Sequence, residues 1–366
     1  MSKPKFIQPS RTFTMELKQR VDEYFASNNI AKSGNWKLYS KAIILLAAVF
    51  AIYATLVIFK VGGTAGFGLC VLLGFVAAGI GFNIMHDGGH GSFSENKTMN
   101  KLASYTLEML GASSFMWNMK HNVIHHTYTN IEGVDDDISA EPFLRMCGSQ
   151  PYLKMHKYQH FYIWFLYSIL YLFWVFVLDF KKYFTNKIGP IEISPMNTKD
   201  HLFFWGSKVF YLFTFVALPI YSVGFMAWLV GYCAFVFTTG VVISIVFQLA
   251  HTVEHTDMVL AVGAPPTVED EWTKHQIKTT ANFATKNKVI NWFTGGLNFQ
   301  VEHHLFPKVS HVHYPAISKI IKEVCKNYDV KYSEYKYMYS AVLSHIRFLK
   351  AMGAGPIPAP INYPVL

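Results

Sequence analysis

The stretch Thr64–Met85, TAGFGLCVLLGFVAAGIGFNIM, carries no charge and runs straight into His86-Asp87-Gly88-Gly89-His90. At about 1.5 Å per helical residue it is long enough to cross a bilayer core of about 30 Å. Two histidines four apart lie on one face of a helix. A membrane span ending in two aligned imidazoles points to a polytopic membrane protein with a metal-binding end.

Two further clusters belong with the first: His121-Asn122-Val123-Ile124-His125-His126 and Gln300-Val301-Glu302-His303-His304. Histidine is the commonest metal ligand. Seven histidines exceed what one tetrahedral zinc needs. On a helix the adjacent pair His125-His126 points about 100° apart, so it suits two metals side by side. His251 closes the apolar run Phe247-Gln248-Leu249-Ala250-His251 and is the eighth candidate ligand, with His255 one turn on as the alternative. Gln300, three residues before His303, is a further candidate, either as ligand or as holder of a metal-bound water. Ligating histidines usually donate their other ring N–H to a carboxylate or carbonyl. Asp87, Asp135, Asp137, Glu302 and His255 are candidates for that outer layer. His156, His160, His201, His275 and His345 are isolated and read as satisfied polar groups. His311 and His313 precede Tyr314-Pro315, a helix start, and read as outer-layer or capping groups. Imidazole-rich sites suit zinc, copper, iron and nickel, so residue type alone leaves the metal open.

Of the 366 residues, 52% are hydrophobic and only 15% charged. A soluble globular chain carries about 25% charged residues. The net charge of +9 is better explained by the positive-inside rule than by nucleic-acid binding, because no zinc-finger spacing or RNA-binding aromatic motif is present. The four cysteines are scattered and read as reduced, buried small residues. The first long apolar run begins near Ala42, which argues against a signal peptide.

The chain divides into a polar, basic segment over 1–41, a main body over 42–345 and a tail over 346–366, Pro-rich from Pro356 to Leu366. In the first, Phe13, Met15, Leu17, Val21, Tyr24 and Phe25 follow a helical spacing, which suits an interfacial or a packed surface helix equally. Apolar runs occupy 42–59, 64–85, 161–178, 209–223 and 224–250. If all three clusters build one site they lie on one side of the membrane, so an even number of crossings separates the second from the third. Three runs lie between them. Residues 161–178 are basic on both flanks and rich in Trp and Tyr, so this run is expected to lie along the interface or re-enter. The expected fold is therefore all-α, with four transmembrane helices and a cytosolic helical cap carrying a di-metal site. Both termini are expected in the cytoplasm.

The three clusters, in this order and spacing, resemble the histidine boxes of the membrane fatty-acid desaturase family: HxxxH, HxxxHH and a final xxxHH. The resemblance covers roughly residues 40–345. Gln300, with Gly91-Ser92-Phe93 and His126-Thr127-Tyr128-Thr129-Asn130, looks like the front-end, linoleoyl-CoA-desaturase-like branch. The resemblance implies a non-haem di-iron centre held by His86, His90, His121, His125, His126, His303 and His304, with His251 as a further ligand. It implies O2 as co-substrate and a cis double bond introduced into a long-chain acyl substrate on CoA or lipid. Many eukaryotic front-end members carry a fused haem domain marked His-Pro-Gly-Gly. That motif is missing here, so a separate electron donor is expected: a ferredoxin, or a cytochrome b-type protein with its reductase. The missing haem domain and retention signals favour a bacterial inner membrane. Phe82, Phe115, Trp117, Phe283, Trp292 and Phe299 are candidate tunnel-lining aromatics, and Lys120 and Arg145 are candidates to meet a phosphate-bearing head group. The rivals are a di-iron lipid hydroxylase and a non-catalytic metal- or haem-binding membrane protein. A transporter would place its ligands at mid-span, whereas these lie at span ends.

Overall fold

A computed structural model describes residues 3–7 and 12–355. Most of the expected tail, 356–366, lies outside the described residues. The fold is dominated by helices, with three two-stranded β pairs. Lys5–Phe6 pairs with Thr267–Val268 and Asn282–Phe283 with Glu334–Tyr335, both parallel; Lys187–Ile188 pairs antiparallel with Ile191–Glu192. We number the helices α1 (Thr12–Ser27), α2 (Trp36–Val57), α3 (Gly63–His90), α4 (Lys97–Ser104), α5 (114–128), α6 (Lys154–Thr185), α7 (Thr198–Val223), α8 (Phe225–His251), α9 (Trp272–Lys278), α10 (Lys288–Phe293), α11 (Gln300–Leu305), α12 (Tyr314–Asn327) and α13 (Met338–Met352).

Five of these, α2, α3, α6, α7 and α8, are long and apolar enough to cross a membrane. Three reach well beyond the apolar runs of the sequence. Helix α2 begins at Trp36, where the Asn35 side chain accepts the Lys37 amide. Helices α6 and α7 extend through charged residues that end a hydropathy window. They do so because Asp179 of α6 and Lys208 of α7 pair at 2.8 Å inside the protein, both at most 5% exposed. Burying one of these charges alone would be costly, whereas the pair is tolerated.

Helix α6 crosses α8 where Gly240 lies against Tyr167 and Ser168. A Cβ on Gly240 would sit 2.5 Å from the Tyr167 carbonyl oxygen, so only glycine permits this approach. The start of α6 is tied to α13 through Gln159 Nε2 donating to the Leu349 carbonyl at 2.8 Å. Its end is tied to the start of α5 through the Ser113 amide donating to Asp179 at 2.9 Å. At the opposite end of the spans, Ser222 of α7 donates to the Val57 carbonyl of α2.

Helix α1 buries Phe13, Leu17, Val21 and Phe25 against Ile317, Ile321 and Val324 of α12 and Val301 of α11, while Met15 faces out. At about 1.5–3 kcal/mol per buried side chain, this stripe settles α1 as a packed helix. Helix α13 runs on through residue 345, the expected end of the main body, and packs Phe348, Leu349 and Met352 against Ile163 and Tyr167 of α6.

Candidate metal centre

Local helix geometry aims the histidines. Helix α3 widens into a π turn over Gly81–Met85, and the His86 amide closes back on the Gly81 carbonyl. Helix α5 does the same over Met119–His125, with the His126 amide reaching the His121 carbonyl. Such turns recur at functional sites because they shift side chains around the helix. A π turn carries more residues per circuit than an α turn, so the angular step per residue there is smaller than the regular step of about 100°. The glycines of His86-Asp87-Gly88-Gly89-His90 admit close neighbours. A Cβ on Gly88 would stand 2.6 Å from the Ser104 amide nitrogen, and one on Gly89 2.3 Å from the Trp117 ring. Trp117 stacks on His121 with centroids 4.6 Å apart and lies 5.7 Å from both His86 and His90.

The chain brings all eight candidate histidines together. His86, His90, His121 and His303 form one group whose ligand atoms lie within 4.8 Å of one another; His125, His251 and His304 form a second; His126 with His303 and His304 joins them. His86 Nε2 and His126 Nε2 each lie 3.2 Å from His121 Nε2. Within the cluster, six buried ring nitrogens have no hydrogen-bond partner: Nε2 of His90, His125, His251, His303 and His304, and Nδ1 of His126. Leaving a buried polar atom unpaired costs about 1–3 kcal/mol, so this many in one place fits a metal-binding pocket. Burial, with repulsion among the rings, pushes His121, His126, His303 and His304 well below the ordinary imidazole value. They are neutral at physiological pH, the state a metal requires. Gln300 is buried, and its Oε1 also lacks a partner.

Outer contacts orient these rings. His125 Nδ1 meets Asp135 at 3.0 Å and Asp137 at 3.2 Å. Burial alone would lower His125, but the two carboxylates outweigh it and hold its pKa above the ordinary value. His251 Nδ1 faces the Thr279 carbonyl at 3.3 Å, His303 Nδ1 the Tyr314 hydroxyl at 3.2 Å, and His304 Nδ1 donates to Gln276 Oε1 at 2.8 Å. Gln276 and Thr279 carry no mark in the sequence, and Tyr314 reads there only as part of a helix start. The run Trp272-Thr273-Lys274-His275-Gln276 has the composition of a solvated helix and gives no local signal.

Other candidates sit elsewhere. Lys120 is bound to Asp137 at 2.7 Å and to Asp136 at 3.5 Å, so it backs the His125 carboxylates and is not free for a head group. Arg145 is 2% exposed and donates to the carbonyls of Gly148, Gln150, Met352 and Gly355, a structural role. Glu302 is bound by Asn282 and Tyr332, and Asp87 by Ser310 and His311; neither carboxylate bonds a clustered imidazole. Helix α8 ends at His251, so His255 is carried away and stacks on Tyr335 at 5.5 Å. Of the candidate aromatics, Trp117 touches the cluster; Phe82, Phe283 and Phe299 are buried in apolar cores, Phe115 is partly buried, and Trp292 is half-exposed.

Residues 62–336 match the family model described as fatty acid desaturase. The chain is 38% identical to the sn-1 linoleoyl-lipid 6-desaturase of Synechocystis sp., over 95% of this chain and 97% of that one. It is 36% identical to the protein of the same name from Arthrospira platensis, over 94% and 93%. It is also 35% identical to the acyl-lipid (8-3)-desaturase of Physcomitrium patens, over 93% and 72%.

Proposed function

Because the chain belongs to the fatty acid desaturase family, we propose that it desaturates lipid-linked acyl chains at a di-iron centre held by His86, His90, His121, His125, His126, His251, His303 and His304. The chain is a multi-pass membrane oxidoreductase acting on fatty-acyl substrates. The observation that carries the metal reading is the cluster of buried imidazoles whose ring nitrogens lack partners.

When bound, iron supplies the capacity to activate O2 for removal of two hydrogens from adjacent methylenes. This chain's residues do the rest. Asp135 and Asp137 hold the His125 proton on Nδ1 and leave Nε2 free. Gln276 does the same for His304. Trp117 walls the pocket beside His86, His90 and His121 and excludes water there. The unpartnered Gln300 Oε1 is a further donor for metal or for a bound water.

The names of the relatives favour an acyl chain carried on a lipid, with position 6 as the site of insertion. The topology we favour has four crossings, α2, α3, α7 and α8, with α6 lying in or re-entering the interface. Both ends of α6 bond segments on the metal-bearing side, which supports this reading. It puts the metal-bearing segments and both termini in the cytoplasm of a bacterial cell. Electrons then come from a separate ferredoxin or cytochrome b-type donor.

The test is fatty-acid profiling of cells fed linoleic acid. Cells with the chain should accumulate a new double bond near the carboxyl end, first in membrane lipids and before the acyl-CoA pool. Cells with His125→Ala should not. A hydroxylated product, or a double bond that persists in the variant, would refute the assignment.

A further inference from the structure

A second polar assembly lies behind the metal pocket. Lys41 of α2 is 5% exposed. An ammonium can only donate, so its contacts have a fixed direction: Nζ donates to Asn83 Oδ1 at 2.7 Å and to His311 Nε2 at 3.0 Å. His311 Nε2 must therefore be bare, and the ring proton sits on Nδ1. That proton is donated to Asp87 Oδ2 at 3.0 Å. The same oxygen accepts from the Ser310 hydroxyl at 2.7 Å. Asn83 is fixed in turn, donating to the carbonyls of Gly79 and Phe293, both at 2.8 Å.

A neutral imidazole thus bridges a buried ammonium and a buried carboxylate. Three separate parts of the chain meet in this bridge: the first long apolar helix, the metal-facing end of the second, and the turn that follows α11. Asp87 lies between His86 and His90 in sequence. Turning that end of α3 about its axis would break both bonds at Asp87. The His125, His251 and His304 group has its own supports in Asp135, the Thr279 carbonyl and Gln276. It shares no residue with this bridge.

We propose that Lys41 and His311 are positioning residues, which act through Asp87 to hold the His86–His90 half of the metal centre against His121 and His303. The proposal rests on the di-iron reading above. Removing either group leaves a buried charge uncompensated, the costly way to break a buried pair. It should displace one half of the centre and spare the other.

The experiment uses the full chain in detergent, loaded with ferrous iron, with iron per chain measured by elemental mass spectrometry. Melting of the metal-free protein is followed in parallel. Wild type should hold two irons. Lys41→Met and His311→Leu should hold about one. His311→Asn keeps a donor toward Asp87, and Lys41→Met with Asp87→Asn removes both charges together; each should return toward two, a non-additive result expected of coupled residues. Single variants that retain two irons would overturn the proposal. So would a loss of both irons in step with the melting temperature, the mark of a merely structural role. If the single variants do not fold, the Asn and double variants decide: failure of both to hold two irons overturns it. A wild-type chain that binds no iron refutes the metal centre itself, an outcome separate from failure of the positioning role.

Discussion

Replacing Gly89 by alanine tests how closely the pocket wall is fitted. The new methyl would lie 2.3 Å from Trp117 Cζ3, 3.0 Å from Cη2 and 3.2 Å from Cε3. Carbon atoms rest about 3.5–4.0 Å apart, so the indole must retreat by about 1.2 Å or more. It is 5% exposed and stacked on His121, so the retreat is transmitted to a proposed ligand. Overpacking of this kind costs about 1–3 kcal/mol, and a misplacement of about 1 Å at a reacting site costs about 100-fold in rate. Gly81→Ala is the control, because its Cβ meets nothing within 4 Å. We expect Gly89→Ala to lose about 100-fold in double-bond formation per mole of protein, measured by gas chromatography, and Gly81→Ala to stay within about twofold of wild type. Adding Trp117→Phe to Gly89→Ala should recover part of the loss by relieving the contact. Activity of Gly89→Ala equal to that of Gly81→Ala would refute the close-fit argument.

Three further outcomes are expected. Gln276→Leu removes the acceptor for His304 and should weaken metal affinity about 10- to 100-fold, read by competition with a chelator; unchanged affinity would remove Gln276 from the outer layer. Burial pushes His275 and His345 down to about 4, whereas in the unfolded chain they titrate near 6.5. Between those values the unfolded chain binds more protons, so their contribution is complete above about pH 6.5 and is lost as pH falls toward 4. The metal-free protein should therefore melt lower at pH 5 than at pH 7.5, less so in a His275→Asn, His345→Gln variant; equal slopes would contradict this. Finally, cysteines placed at Lys154 and Lys187 should react with a membrane-impermeant reagent from one face and a cysteine at Lys60 from the other, and labelling of Lys154 and Lys187 from opposite faces would give α6 a crossing.

Seven of the eight histidines stand out in the sequence because clusters beside long apolar runs are rare and each cluster is local, and His251 because it closes an apolar run. The outer contacts were hidden because they join residues far apart. Gln276 reaches His304 and Tyr314 reaches His303 only after α9, α11 and α12 pack. Lys120 and Arg145 had the charge for a head group, but whether a basic side chain is free depends on folded neighbours: carboxylates for one, carbonyls of residues 352 and 355 for the other. Helices α6 and α7 outrun the apolar runs of the sequence where a charge is neutralised inside the protein, as at Asp179–Lys208. The π turns of α3 and α5 are set by hydrogen bonding and leave no mark in hydropathy.

The order of the donors along the chain has a consequence for biosynthesis. One group of proposed ligands combines His86, His90 and His121 with His303, and a second combines His125 and His251 with His304. Each group therefore draws at least one member from the last quarter of the chain. While the ribosome is still translating that quarter, the earlier histidines are already made but neither group is complete. Tyr314, which contacts His303, and His311, which contacts Asp87, are translated later still. On the proposed ligand set, both of these groups are complete only once residues 303 and 304 have been made, so a nascent chain stalled before residue 303 offers each of them in part.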